Sequence, residues 1–212
     1  MKNPEFEGKS LVRPTTRSAA IHEAGHAAWN WFFGFQFKEV KLISGGGICI
    51  GYEIEYIEET CNGRYSDNGH IRFIITQCIN YLAGHATAFL SQKRNVARRM
   101  NEIIDATNIY TEDTDLKFAR DWAEETWDDW LYVLHLLVAP TLRIIRTPAI
   151  RRSCNQLALR LMNKKEIKYE EVLEIFSEAH AAFNSTINSV PADVVNFWQW
   201  PEILEVSSAK VI

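Results

Sequence analysis

The stretch Ile21 to Ala28 reads Ile-His-Glu-Ala-Gly-His-Ala-Ala inside an apolar run of helical character. On an α-helix, residues four apart share a face, so His22 and His26 can hold one metal ion between their imidazoles. Glu23 projects beside that face, where a carboxylate can take a proton from a water on the metal. The feature also constrains the fold. A helix carrying two metal-ligating side chains must bring them to a place where another element supplies a third ligand.

The H-E-x-x-H spacing is the arrangement used by zinc-dependent peptidases. A catalytic zinc takes three protein ligands and keeps one position open. The third ligand is not in the extended form H-E-x-x-H-x-x-G-x-x-H, because Asn30, Trp31 and Phe32 follow the motif. A downstream carboxylate is expected instead, with Asp113, Asp115, Glu102 and Glu112 as candidates. His85 is a further histidine on a helical stretch, and a structural role suits it better than ligation.

Composition sets the class. The chain has 212 residues, 47% of them hydrophobic and 24% charged, which is enough to bury a sizeable core in one domain. A net charge of -4 does not suggest a nucleic-acid partner. Lys93, Arg94, Arg98 and Arg99 read as a solvated helix face, and the arginines from Arg143 to Arg152 do not change that view. Cys49, Cys61, Cys78 and Cys154 form no C-x-x-C pair and read as thiols in a reducing compartment. The N-terminus has no apolar h-region. The most apolar run, Leu131 to Ile150, is interrupted by His135, Pro140, Arg143 and Arg146, which argues against a membrane span and for a cytoplasmic protein.

Taken in order, residues 1–14 read as an arm ending at Pro14, residues 15–183 as the main domain, and residues 184–212 as a tail lying on the surface. Thr15, Thr16 or Ser18 caps the first helix, which runs to about Phe33 and stops at Gly34. From Phe37 the period changes: Val40, Leu42 and Ile43 make a short strand, Ser44 to Gly47 a turn, and Ile48 to Tyr56 an alternating strand, together a hairpin. Residues 57–66 read as a loop. Asp67 or Asn68 caps a helix to Leu90, in which Gly84 beside Ala83 and Ala86 marks tight packing on another helix. A helix follows the acidic stretch at Thr111 to Asp115. The remaining helices run from Trp127 to Val138, with a bend near Pro140 or Pro148, then from Ile150 to Met162 and from Glu170 to Phe183. The fold expected is mainly α with a small β-hairpin or sheet, an α+β class.

Ala20 to Ala27, Ala-Ile-His-Glu-Ala-Gly-His-Ala, resembles the peptidase half of the FtsH family of ATP-dependent zinc metalloproteases. Further segments resemble the family's in the same order. Ile50-Gly51-Tyr52 is similar to the end of its edge strand, and Tyr81-Leu82-Ala83-Gly84-His85-Ala86 to its L-A-G-R-x-A-E helix. Thr114-Asp115-Leu116 is similar to its N-D-L segment, and Leu157 to Met162 with Tyr169 to Val172 to its closing helices. The resemblance spans roughly residues 15–180. It implies a helical peptidase domain with Asp115 as third zinc ligand and Glu23 as general base. It also implies an edge strand, Ile48, Cys49, Ile50 and Gly51, that takes an extended polypeptide substrate. The sequence departs from the family in three respects. It has no P-loop, so the activity expected is ATP-independent unless a separate ATPase or self-association serves it. Thr87 and Ala88 stand in the region of the L-A-G-R-x-A-E glutamate, with His85 where arginine is usual. The Gly-Ala before N-D-L is missing. The alternative is a regulatory or peptide-binding protein that keeps zinc on a peptidase fold and does not cleave.

Overall fold

Helix α1 (Thr16–Phe33) is buried on nearly every side, and the other elements are arranged around it. The protein is described by a computed structural model that covers residues 16–51, 69–92, 95–107, 113–184 and 199–208. Ala20, Ala24, Ala27, Ala28 and Trp29 of α1 have no exposed surface. Small side chains on several faces let neighbours approach the helix closely from several directions. On one side lies α2 (Gly69–Ser91), whose Ile74, Ile75, Cys78, Ile79, Leu82, Ala83 and Ala86 are all buried. On another lies α6 (Pro148–Lys164), whose Cys154 thiol approaches the Ala24 carbonyl at 3.5 Å. Trp29 at the far end of α1 donates its indole N–H to the Thr76 carbonyl of α2 at 2.8 Å.

The closest approach of α1 and α2 is made possible by Gly25. A Cβ at that position would sit 2.5 Å from the Thr87 hydroxyl oxygen and 2.6 Å from the Ala83 carbonyl oxygen. No side chain fits there, which explains a glycine in the middle of a helix despite its conformational cost.

A three-stranded antiparallel sheet covers one end of α1. Its order is β2-β1-β3, from β1 (Phe37–Ile43), β2 (Gly46–Gly51) and β3 (Glu166–Lys168). Val40 of β1 and Ile167 of β3 pair in the ladder and are both buried against the helices. The hairpin turn is tighter than the four residues expected. Ser44 and Gly45 alone make it, with Ile43 opposite Gly46, because Gly45 takes a φ of 88°. Gly46 and Gly47 therefore belong to β2.

The other helices are α3 (Val96–Thr107), α4 (Thr114–Glu124), α5 (Trp130–Arg146), α7 (Tyr169–Asn184) and α8 (Pro201–Ser208). The architecture is mainly helical with a small antiparallel sheet, as the pattern of the sequence led one to expect. Helix α1 ends at Phe33, and Gly34 follows with a φ of 73°. The bend is decided between its two candidates, and two details differ. The bend expected near Pro140 or Pro148 falls at the latter. Helix α5 runs through Pro140, and α5 and α6 meet at 78° across Thr147. Pro148 forces its predecessor out of the helical region (Thr147 ψ 124°) and sits where a first-turn N–H needs no partner. Strand β3 was not anticipated. Lys165 caps α6 in the left-handed conformation and turns the chain into three residues too short to show a period. The tail is not wholly superficial: Trp200 and, in α8, Ile203 and Val206 are buried, and Arg143 of α5 lies 4.1 Å over the Trp200 ring and 3.1 Å from Glu202.

Cys49, Cys78 and Cys154 are free thiols. Among the described residues, no single helix is long and apolar enough to cross a membrane. The expected loop at residues 57–66, the strand beyond Gly51, the caps at Thr15, Asp67 and Asn68, and Lys93, Arg94 and Cys61 lie outside the described residues.

Because the Ala83 carbonyl is backbone, Gly25→Ala forces α1 and α2 apart. It should lower unfolding stability by about 1–3 kcal/mol in a urea titration, as overpacked cores do. A wild-type midpoint would refute this account of the crossing.

Candidate metal centre

His22 and His26 project from α1 toward Asp115 in the first turn of α4. Asp113 fixes that turn as its N-cap, accepting the Leu116 N–H at 3.1 Å. Leu116, Ala119 and Ala123 anchor the helix in the core. The result is a convergence of three atoms. His22 Nε2 lies 2.7 Å from Asp115 Oδ2, His26 Nε2 lies 3.1 Å from the same oxygen, and the two Nε2 atoms are 3.0 Å apart.

The tautomer of His26 is set from behind. Its Nδ1 lies 2.8 Å from the Asn80 carbonyl, an acceptor, so Nδ1 carries the proton and donates it. In the neutral ring, Nε2 then presents a lone pair to a carboxylate oxygen and to a second imidazole nitrogen. Three such atoms about 3 Å apart in a largely buried site need a proton or a cation among them to offset their repulsion. A backbone carbonyl behind a histidine is also the usual way a metal-ligating ring is oriented.

The electrostatics point the same way. Burial pulls the His26 ring down, but the Asp115 charge and hydrogen bond, with the Glu23 charge, outweigh it and push it up to about 9. His22 is pulled down to about 4 by burial, against its hydrogen bond to Asp115 and with the adjacent His26 adding to the fall. Asp115 is held well below the ordinary carboxylate range: the His26 charge and the contacts to both rings overcome its burial. The pair thus keeps one positive charge beside Asp115, on His26. A site that draws a proton this strongly has the donor set for a divalent cation, two imidazoles and a carboxylate, and a cation would displace that proton.

Glu23 is buried at 5% exposure, and burial pushes its carboxyl up to about 7 in spite of the His26 charge and a hydrogen bond from the Cys49 backbone N–H. Gly47 of β2 lies against it: a Cβ there would be 2.4 Å from Glu23 Cγ. On the other flank, Gly84 of α2 backs the two ligand rings, and a Cβ there would fall 2.5 Å from His26 Nε2 and 2.6 Å from His22 Nε2. The tight packing expected at Gly84 is therefore packing onto the site itself.

The structure sorts the carboxylate candidates. Asp115 joins the histidines. Glu102 does not: it is exposed on α3 and paired with Arg98 at 2.8 Å. Asp113 lies 3.1 Å from His85 Nε2, and the His85 ring meets the His22 ring edge to face at 4.7 Å. His85 is thus next to the site, in a role the sequence gave little reason to expect. Glu112 lies outside the described residues. Ile48, Cys49, Ile50 and Gly51 lie on β2, at one end of the sheet among the described residues, with Cys49 reaching Glu23 through its backbone. Sequence reasoning missed Asn80, which acts through its carbonyl, and Gly47, which it placed in the turn. Comparison with protein-family models gives no match, and comparison with curated proteins gives none either.

Two outcomes follow. Gly84→Ala should weaken zinc binding roughly 10–100-fold in calorimetric titration of the metal-free protein, the scale seen when groups that orient ligands are disturbed. Unchanged affinity would mean that the ion binds elsewhere. Glu23 contributes stability below its unfolded value of 4.5, and that contribution disappears as pH rises through about 7. The metal-free wild type should therefore lose on the order of 3 kcal/mol relative to Glu23→Gln between these limits. A pH-independent difference between the two proteins would show that Glu23 is not buried as described.

Proposed function

We propose that this chain is a zinc-dependent metalloendopeptidase acting on unfolded or flexible polypeptide, independent of ATP in its own chemistry. The observation that carries the reading is the position of Glu23. It lies near enough to His26 and Asp115 to interact with their charges, and it is tied to β2 by the Cys49 N–H. A base beside both a metal site and a strand is where peptide hydrolysis needs one.

His22, His26 and Asp115 would hold the zinc, which when bound supplies a Lewis acid and a water acidified toward neutrality. Glu23 takes the proton from the attacking water and delivers it to the departing amine. Burial raises its carboxyl above the ordinary range in the metal-free protein, the direction that makes it a better proton acceptor. The Asn80 carbonyl holds the proton of His26 Nδ1, so that Nε2 is the nitrogen that would meet the ion. Strand β2, through Ile48 to Gly51, receives the substrate as an added strand. This mode reads backbone more than side chains and so favours extended, unfolded segments. The segment-by-segment resemblance to the FtsH peptidase supports the same reading.

The deciding variant is Glu23→Gln, nearly isosteric with the wild type. It should bind zinc as the wild type does and cleave casein about 10²–10⁴-fold more slowly, the usual contribution of a positioned base. Cleavage at the wild-type rate would defeat the peptidase reading, and no cleavage by zinc-loaded wild type across a broad peptide library would favour a binding protein.

A further inference from the structure

We infer that His85, Asp113 and Asp115 form a second divalent-cation site, joined to the first through the Asp115 carboxylate. One ligand atom from each of the three lies within 4.8 Å of the others. They come from two elements, α2 and the first turn of α4, held together by the buried packing of Cys78 against the Ala119 carbonyl. The site goes beyond the peptidase reading, which needs one ion only.

His85 and Asp113 stand close enough to share one ion. His85 Nε2 is nearly equidistant from the two Asp113 oxygens, 3.2 Å from Oδ1 and 3.1 Å from Oδ2. Asp113 Oδ1 already accepts the Leu116 N–H, which fixes the carboxylate plane. Separations near 3 Å are what two donors at about 2.0–2.2 Å from one ion show. The His85 ring is held edge to face against His22 and lies beside Phe89, at 6.1 Å between ring centres, so its orientation is set by packing.

Asp115 can serve both sites because it has two oxygens. Both histidine contacts of the first site use Oδ2, and Oδ1 is the oxygen a bridging carboxylate would turn to a neighbour. Two ions sharing a carboxylate stand about 3.5–4 Å apart in two-metal hydrolases. Charge favours the second ion as well. Asp113 and Asp115 set two carboxylates against His85, which favours a cation among them. Two carboxylates and one imidazole make a harder donor set than the first site, one that suits zinc, cobalt or manganese.

The experiment is metal stoichiometry. The full chain, saturated with zinc and freed of unbound ion by gel filtration, should carry two zinc ions per chain by elemental analysis. His85→Ala and Asp113→Asn should each carry one. Asparagine caps a helix as well as aspartate does, so Asp113→Asn keeps Asp115 in place. Manganese-loaded wild type should show a spin-coupled pair by electron paramagnetic resonance, and both variants an isolated ion. One zinc ion in the wild type overturns the second site and leaves the first standing; none overturns both. Two ions in both variants would place the second ion elsewhere. Loss of both ions in both variants would make His85 and Asp113 props for the first site and overturn the inference.

Discussion

Three electron-rich atoms held within 3.1 Å of one another, at the junction of α1, α2 and α4, are the constraint on which the rest of the structure depends. Mutual repulsion would separate them in an unsupported chain. Here they are held by packing: Gly25 brings α1 onto α2, Gly84 clears room for both rings, and the Asp113 cap sets the turn that carries Asp115. Such a cluster is held together by a proton or a cation among its atoms. Without metal it is the proton on His26, stabilised chiefly by Asp115.

The same constraint explains the sheet. A strand laid over α1 must avoid the Glu23 side chain, and Gly47 does so by having none. Its neighbour Cys49 gives Glu23 a backbone hydrogen bond, while burial keeps the carboxyl poised near neutrality. Glu23 and β2 are therefore packed as one unit, with β3 paired to the far side of β1. Tightening the hairpin to Ser44 and Gly45 brings Gly47 into the strand, where Glu23 needs it.

Much of this was legible in the sequence because it follows from local periodicity. The four-residue spacing of His22 and His26, the stop at Gly34 and the hairpin around Gly45 are read from neighbours in the chain. Asp115 was one of four carboxylates by spacing, and only the resemblance to a known peptidase singled it out. What stayed hidden works through tertiary contact or backbone atoms. The Asn80 carbonyl has no side-chain signature, β3 is too short to alternate, and α8 was obscured by prolines although Ile203 and Val206 are fully buried. His85 gave the weakest signal, a lone histidine on an apolar helix, since its partner Asp113 is distant in sequence and meets it only once α2 and α4 pack.

The most direct test of the central claim is X-ray absorption at the zinc edge, on the chain loaded with one equivalent of zinc. The predicted spectrum has imidazole scattering from two rings and nitrogen or oxygen donors at about 2.0–2.1 Å. A shell of sulfur at about 2.3 Å, or a spectrum without imidazole scattering, would show that the ion binds elsewhere and would contradict the account.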